Sequence, residues 1–143
     1  MSASPPFAPE SQEEPMLTTS RAFSTFSVDD IAAARRFYGT TLGLDVREGV
    51  ESGMLELHVG DGTPISIYPK PDHQPAVFTV LNFAVANIDA AVDELNRAGV
   101  EMERYDMGDA APDAKGIYRG RGPSIAWFKD PAGNILSVLE MPS

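Results

Sequence analysis

The feature that most constrains this chain is that it nearly repeats itself after 57 residues. Sliding the sequence by that interval lays Phe26 on Phe83, Val28 on Val85 and Ile31 on Ile88, with Ala33 and Ala34 on Ala90 and Ala91. What recurs is a strand running into a capped helix, so the chain is read as two copies of one supersecondary unit. In the first copy, AFSTFSV (22–28) has the aromatic, β-branched and small residues of a strand. Asp29 and Asp30 then offer N-cap chemistry to IAAARRFYGTTLG (31–43). Within that segment Ile31, Ala34 and Tyr38 keep helical spacing, Phe37 widens the stripe and Gly43 supplies the stop. In the second copy VLNFAV (80–85) leads into NIDAAVDELNRAG (87–99), where Ile88, Ala91, Val92 and Leu95 fall at i, i+3, i+4 and i+7.

Three short strands are expected after each helix. The first set is LDVREGV (44–50), MLELHV (54–59) and ISIYP (65–69), divided by the turn-like Glu51-Ser52-Gly53 and Gly60-Asp61-Gly62. The second is VEMERYD (100–106), SIAWF (124–128) and ILSVLE (135–140), the last two flanking Asp130-Pro131-Ala132-Gly133-Asn134, a strong turn sequence. The expected class is α+β, with βαβββ modules over 20–70 and 78–141 and a linker over 71–77. Residues 20–143 form a single domain in this reading. Residues 1–19 hold Pro5, Pro6, Pro9 and Pro15 with Glu10, Glu13 and Glu14 and no base, and read as a flexible tail.

Charge and composition narrow the partners. Acids outnumber bases 21 to 11, a net charge of −10, which repels phosphate backbones and anionic lipid and would attract a cationic ligand. Nucleic acid and membrane are therefore not expected partners. Cysteine is absent, which removes disulfides, thiolate metal sites and a cysteine nucleophile. No apolar run approaches the about 20 residues that cross a bilayer. The first residues lack the basic and apolar regions of a signal peptide, so a cytoplasmic location is expected. No HExxH, GxSxG, Walker or GxGxxG pattern occurs.

The segments SVDDIAAARRFYGTTLGL (27–44), FAVANIDAAVDELNRAGV (83–100) and WFKDPAGNILSVLE (127–140) resemble the vicinal oxygen chelate superfamily of glyoxalases, extradiol dioxygenases and bleomycin-resistance proteins. The resemblance implies the glyoxalase/bleomycin-resistance fold, in which the curved mixed sheets of two modules form a ligand-binding cleft, usually in a homodimer. Enzymes of that superfamily hold one divalent metal with four His, Glu or Gln side chains. By motif those positions fall here on Phe23, Ser66, Val80 and Ser137. Phenylalanine and valine have no donor, and a neutral serine hydroxyl is a poor one. The inherited metal site therefore reads as lost, and no cofactor is expected.

Strand alternation fills the cleft instead. Phe23, Thr25 and Ser27 should face in while Phe26 and Val28 pack on a helix. Val80, Asn82 and Ala84 should face in while Leu81, Phe83 and Val85 do not. Tyr68 shares a face with Ser66, and Trp127 should lie across the final hairpin from Ser137. The candidate ligand-binding set is Phe23, Thr25, Ser66, Tyr68, Asn82, Trp127 and Ser137, with Arg121 from the loop 112–123. That loop gathers Lys115, Arg119 and Arg121 and reads either as a lid gripping a carboxylate or as a solvated mobile loop. Glu56 and His58 share one face of a strand; His58 reads as a partly exposed strand histidine and His73 as a loop residue. Glu140 should point away from the cleft.

The leading functional reading is metal-free binding or sequestration of a small organic molecule, as bleomycin-resistance proteins do. The alternative is a glyoxalase-like lyase or isomerase, or a dioxygenase-related enzyme, with a relocated metal or none. Glu56, His58 or His73 inside the cleft would favour it, because it needs a general base. A third reading is a regulatory or partner-binding scaffold.

Overall fold

The two copies of the repeat build two mixed sheets that share one core on their helical side. The structure, a computed structural model, describes residues 15–106, 108, 110–120 and 122–141. Module one contains β1 (Thr25–Val28), α1 (Ile31–Arg35), β2 (Asp45–Glu48), β3 (Leu55–His58) and β4 (Ile65–Pro69). Its strand order is β1-β4-β3-β2, with β1 and β4 parallel and the other pairs antiparallel. Module two contains β5 (Thr79–Val85), α2 (Ile88–Arg97), β6 (Ile125–Lys129) and β7 (Ile135–Glu140), in the order β5-β7-β6. The repeat is visible in space. Thr25 pairs with Ser66 as Asn82 pairs with Ser137, in parallel ladders. Asp30 caps α1 by accepting from Ala33 N at 3.0 Å, and Asn87, 57 positions later, caps α2 through Ala90 N at the same distance.

Two elements differ from expectation. The helix of module one changes pitch after Arg35 and runs as a π-helix over Arg36–Thr41, closed by Leu42 N donating to Phe37 O at 2.8 Å. The strand expected over 100–106 does not form. Only Glu103 bridges Trp127 of β6, its N–H donating to Trp127 O at 2.7 Å. The next backbone groups are taken elsewhere: Tyr105 N donates to the Tyr118 hydroxyl, which donates to Tyr105 O, so no ladder can extend. Arg104 turns outward to the carbonyls of Asp113 and Ala114.

Phe26, Val28, Leu55, Leu57 and Ile67 from module one meet Ile88, Val92, Phe128, Leu136 and Val138 from module two in a single core. A buried polar knot fastens the modules. The Tyr38 hydroxyl donates to Asp130 Oδ2 at 2.7 Å, and Asp130 Oδ1 accepts from Ala132 N and Asn134 N at 3.0 and 2.9 Å. Asn134 Nδ2 donates to Asp130 Oδ2 and to Ser27 O. Burial, and then the Asp130 charge, push the Tyr38 phenol far above its usual range, so it remains a donor. Residues 15–20 make an exposed turn in which Thr18, Thr19 and Ser20 donate back to the carbonyls of Pro15, Met16 and Leu17. The rest of the expected tail lies outside the described residues. No described helix is long and apolar enough to cross a membrane.

Candidate functional site

Alternation divides each sheet into a core face and a concave face. On β3, Leu55 and Leu57 are fully buried among the core, so Glu56 and His58 stand on the concave face. The register then sets Arg47, Glu56, Ser66 and Thr25 in a row across all four strands of module one. His58 Nε2 lies 3.0 Å from Glu56 Oε1, both side chains part-buried. The Arg47 guanidinium is spent on Asp45, whose carboxyl it holds below the usual range through that hydrogen bond.

The concave face of module two is aromatic. Trp127 lies opposite Ser137, as expected. Its indole N–H donates to Thr79 Oγ1 at 2.9 Å, and the rings of Tyr105 and Tyr118 meet it edge-on at 5.6 and 5.1 Å between centroids. Ser137 is fully buried and donates to Asn82 Oδ1 at 2.5 Å, so it orients Asn82 rather than offering a free hydroxyl.

The cleft follows the seam between the modules, where residues of β1 and β5, each at the end of its sheet, border one cavity. One cavity of about 380 Å³ is lined by Thr25, Ser27, Tyr68, His73 and Thr79 among others. A second of about 380 Å³ runs along β5 beside Thr63, Ile65, Asn82 and Ala84. The candidates Thr25 and Tyr68 thus share a cavity and Asn82 lines its neighbour, while Ser66 lies on the same face as Thr25 and Tyr68.

Several expectations are corrected. Phe23 precedes β1, which begins only at Thr25, and is 60% exposed. Val80 does line the seam cavity, but the regular alternation of β5 is interrupted there by a β-bulge: Thr79 pairs with Ile135 and Leu81 with Leu136, leaving Val80 as the extra residue. Thr79 joins it in lining that cavity. In its described part the loop 112–123 is anchored in the fold rather than wholly solvated, because Ile117 is fully buried and Tyr118 nearly so. Its described cations are paired with carboxylates of α2 and of the loop itself: Lys115 Nζ lies 3.1 Å from Asp93, and Arg119 lies 3.0 Å from Asp89 and 3.1 Å from Asp113. The Arg119 hydrogen bond, then Lys115, holds the Asp89 carboxyl below the usual range. Arg121 lies outside the described residues. His73 is not a free loop residue: it lines the seam cavity with Nδ1 2.6 Å from Ser27 Oγ and Nε2 3.2 Å from Ala132 O. Glu140 does point away from the cleft, where Oε1 accepts from Ile88 N at 3.0 Å.

The donor set does not fit the metal that the fold family implies. Phe23 and Val80 offer nothing, and Ser137 is committed to Asn82. Among the described residues no three His, Asp or Glu side chains are grouped to hold an ion. Sequence reasoning missed Thr79, because nothing local marks a bulge, and it missed the contact of Ser27 with His73, whose partners are 46 residues apart.

A sequence model of the Glyoxalase/Bleomycin resistance protein/Dioxygenase superfamily matches residues 22–138. A search of curated proteins returns no match. Solved structures with this fold include a glyoxalase family protein from Enterococcus faecalis, 23% identical, covering 87% of this chain and 100% of that one at a TM-score of 0.62. TnmS3, an antibiotic binding protein from Streptomyces sp. CB03234, is 23% identical over 87% of this chain and 97% of that one, at 0.61. A glyoxalase/dioxygenase from Nostoc punctiforme is 18% identical over 90% and 95%, at 0.62. At such identities the likeness is one of fold.

Proposed function

The chain belongs to the glyoxalase/bleomycin resistance protein/dioxygenase superfamily, and from that premise we propose that it binds a small organic molecule between its modules without a metal ion. The observation that carries this reading is the exchange of donors. The positions that would ligate a metal hold Phe23, Ser66, Val80 and Ser137, while the concave faces present Tyr68 and Trp127 with the neutral hydrogen-bonders Thr25, Ser66, Thr79 and Asn82. Aromatic walls with a few polar groups suit a flat, mostly apolar ligand. That TnmS3, of the same fold, is an antibiotic binding protein supports an antibiotic-like ligand. The exposed Phe23 and Phe78, beside the seam, support a second copy packing there as a homodimer.

Trp127 is the chain's single tryptophan and donates to Thr79, which lines the seam cavity, so its emission should respond to a ligand bound there. Chelator-treated protein is titrated with bleomycin and a panel of flat aromatic antibiotics. Saturable quenching that added Zn²⁺ leaves unchanged, and that Tyr68→Ala weakens about tenfold, is the expected result. Quenching that appears only with metal, or none with any compound, would contradict the reading.

One observation favours the enzymatic alternative. The Glu56–His58 pair stands on the concave face, with a carboxylate fixing one ring nitrogen and the other left to serve as a general base for an isomerase or lyase. Turnover of a compound that quenches Trp127, abolished by His58→Gln while quenching persists, would establish it.

A further inference from the structure

The seam cavity holds a second constellation that neither reading uses. Ser27 projects from the concave face of β1, since Phe26 and Val28 beside it are buried on the other side. His73 follows β4 in a turn closed by its own N–H donating to Lys70 O at 3.0 Å. Its ring is held between Ala132 O, 3.2 Å from Nε2, and Ser27 Oγ, 2.6 Å from Nδ1. A carbonyl oxygen only accepts, so Nε2 must carry the ring proton. In the neutral ring the lone pair then lies on Nδ1, and the Ser27 hydroxyl donates to it. Ala132 is in turn fixed by its N–H to Asp130 Oδ1 within the buried turn. A hydroxyl on an imidazole nitrogen, with the other nitrogen oriented by a third group, is the arrangement of an activated nucleophile.

We propose that Ser27 and His73 form a nucleophile–base pair that cleaves small neutral carboxylic esters in the seam cavity. Its volume of about 380 Å³ suits a small acyl group, and its lining holds no Asp, Glu, Lys or Arg, which selects against charged esters. The Thr79 oxygen accepts the Trp127 indole N–H, so its own hydroxyl hydrogen is left to donate to an oxyanion; the Gln74 amide lines the same space. In the first step Ser27 Oγ bonds to the acyl carbon and its proton passes to Nδ1. The acyl–alkoxy bond breaks and the leaving oxygen takes that proton as an alcohol. A water, giving its proton to the same nitrogen, then attacks the acyl-serine. Its C–O bond breaks, the proton returns to Ser27 Oγ, and the carboxylic acid leaves.

This goes beyond ligand binding and does not rest on it. The test treats the folded protein with a biotinylated fluorophosphonate, locates any adduct by peptide mass spectrometry, and follows p-nitrophenyl acetate in stopped flow. One adduct on Ser27, and a burst of one p-nitrophenolate per chain, are expected. Urea-unfolded protein and Ser27→Ala should lose both, and His73→Gln should slow labelling at least about a hundredfold, while Ser20→Ala in the exposed N-terminal turn should change neither. No adduct, an adduct that survives Ser27→Ala, or labelling equally fast in unfolded protein would overturn the proposal. If His73→Gln fails to fold, the Ser27→Ala and unfolded-protein comparisons still decide it. Trp127 quenching retained in a protein that takes no label would separate failure of this pair from failure of the binding reading.

Discussion

Removing one oxygen atom from Tyr38 should destabilise the whole domain. Its hydroxyl is one of four donors that converge on the buried Asp130 carboxylate, with Ala132 N, Asn134 N and Asn134 Nδ2. Tyr38→Phe keeps the ring, and so keeps its apolar burial and its edge contact with Phe37 at 5.1 Å. What is lost is a hydrogen bond to a charged acceptor in a site that water does not reach, worth about 2 kcal/mol. For a domain of this size that corresponds to a fall in melting temperature of about 7 °C. Urea unfolding followed by circular dichroism should show the midpoint falling with the slope unchanged, because the surface exposed on unfolding is the same. Asn134→Ala should cost more, since it also releases Ser27 O. A Tyr38→Phe protein within about 0.5 kcal/mol of the parent would refute the claim that this knot holds the modules together.

Other consequences are as direct. Gly133→Ala must place a side chain at φ +88° with its Cβ 3.3 Å from Pro75 Cγ, whereas Gly43→Ala meets only the backbone cost of φ +77° in open space. The first should lose about 2 kcal/mol and the second about 1, by denaturant titration. Arg119→Gln removes the main cause of the lowered Asp89 carboxyl. A depressed carboxyl contributes stability above its unfolded pKa and loses it as pH falls through the folded value, so the variant should show Asp89 titrating higher by carbon NMR and acid unfolding beginning at higher pH. An unchanged Asp89 titration would sink that assignment. Glu140→Ala frees the Ile88 amide at the start of α2, and should cost about 1 kcal/mol with faster hydrogen exchange confined to the helix's first turn.

Much of this architecture was legible in the sequence because the chain states it twice. Asp30 and Asn87 cap equivalent helices, and the apolar faces of β1 and β5 fall where alternation puts them as long as the strand is regular. What could not be read depends on partners distant in sequence. The bulge at Val80 brings Thr79 into the cleft as well, without changing the apolar pattern. The segment 100–106 has a strand's composition, yet the Tyr118 hydroxyl captures the backbone that would have extended it. Lys115 and Arg119 could be read as part of a carboxylate grip only while Asp89 and Asp93 were out of sight. The Asp130–Asn134 turn, which carries much of the family resemblance, serves the fold: it is the buried junction of the two modules. His73 acquires meaning only when the linker folds over that turn.

The central claim is that the cleft has exchanged metal ligands for hydrogen-bonding and aromatic groups, and metal content tests it most directly. Protein purified without chelator, then dialysed against Zn²⁺, Ni²⁺, Mn²⁺ or Fe²⁺, is analysed for bound metal per chain. The account predicts far less than one equivalent of each, with the melting temperature unmoved by the ions. One tightly held equivalent, lost on His58→Gln, would contradict it and place a relocated metal centre beside Glu56.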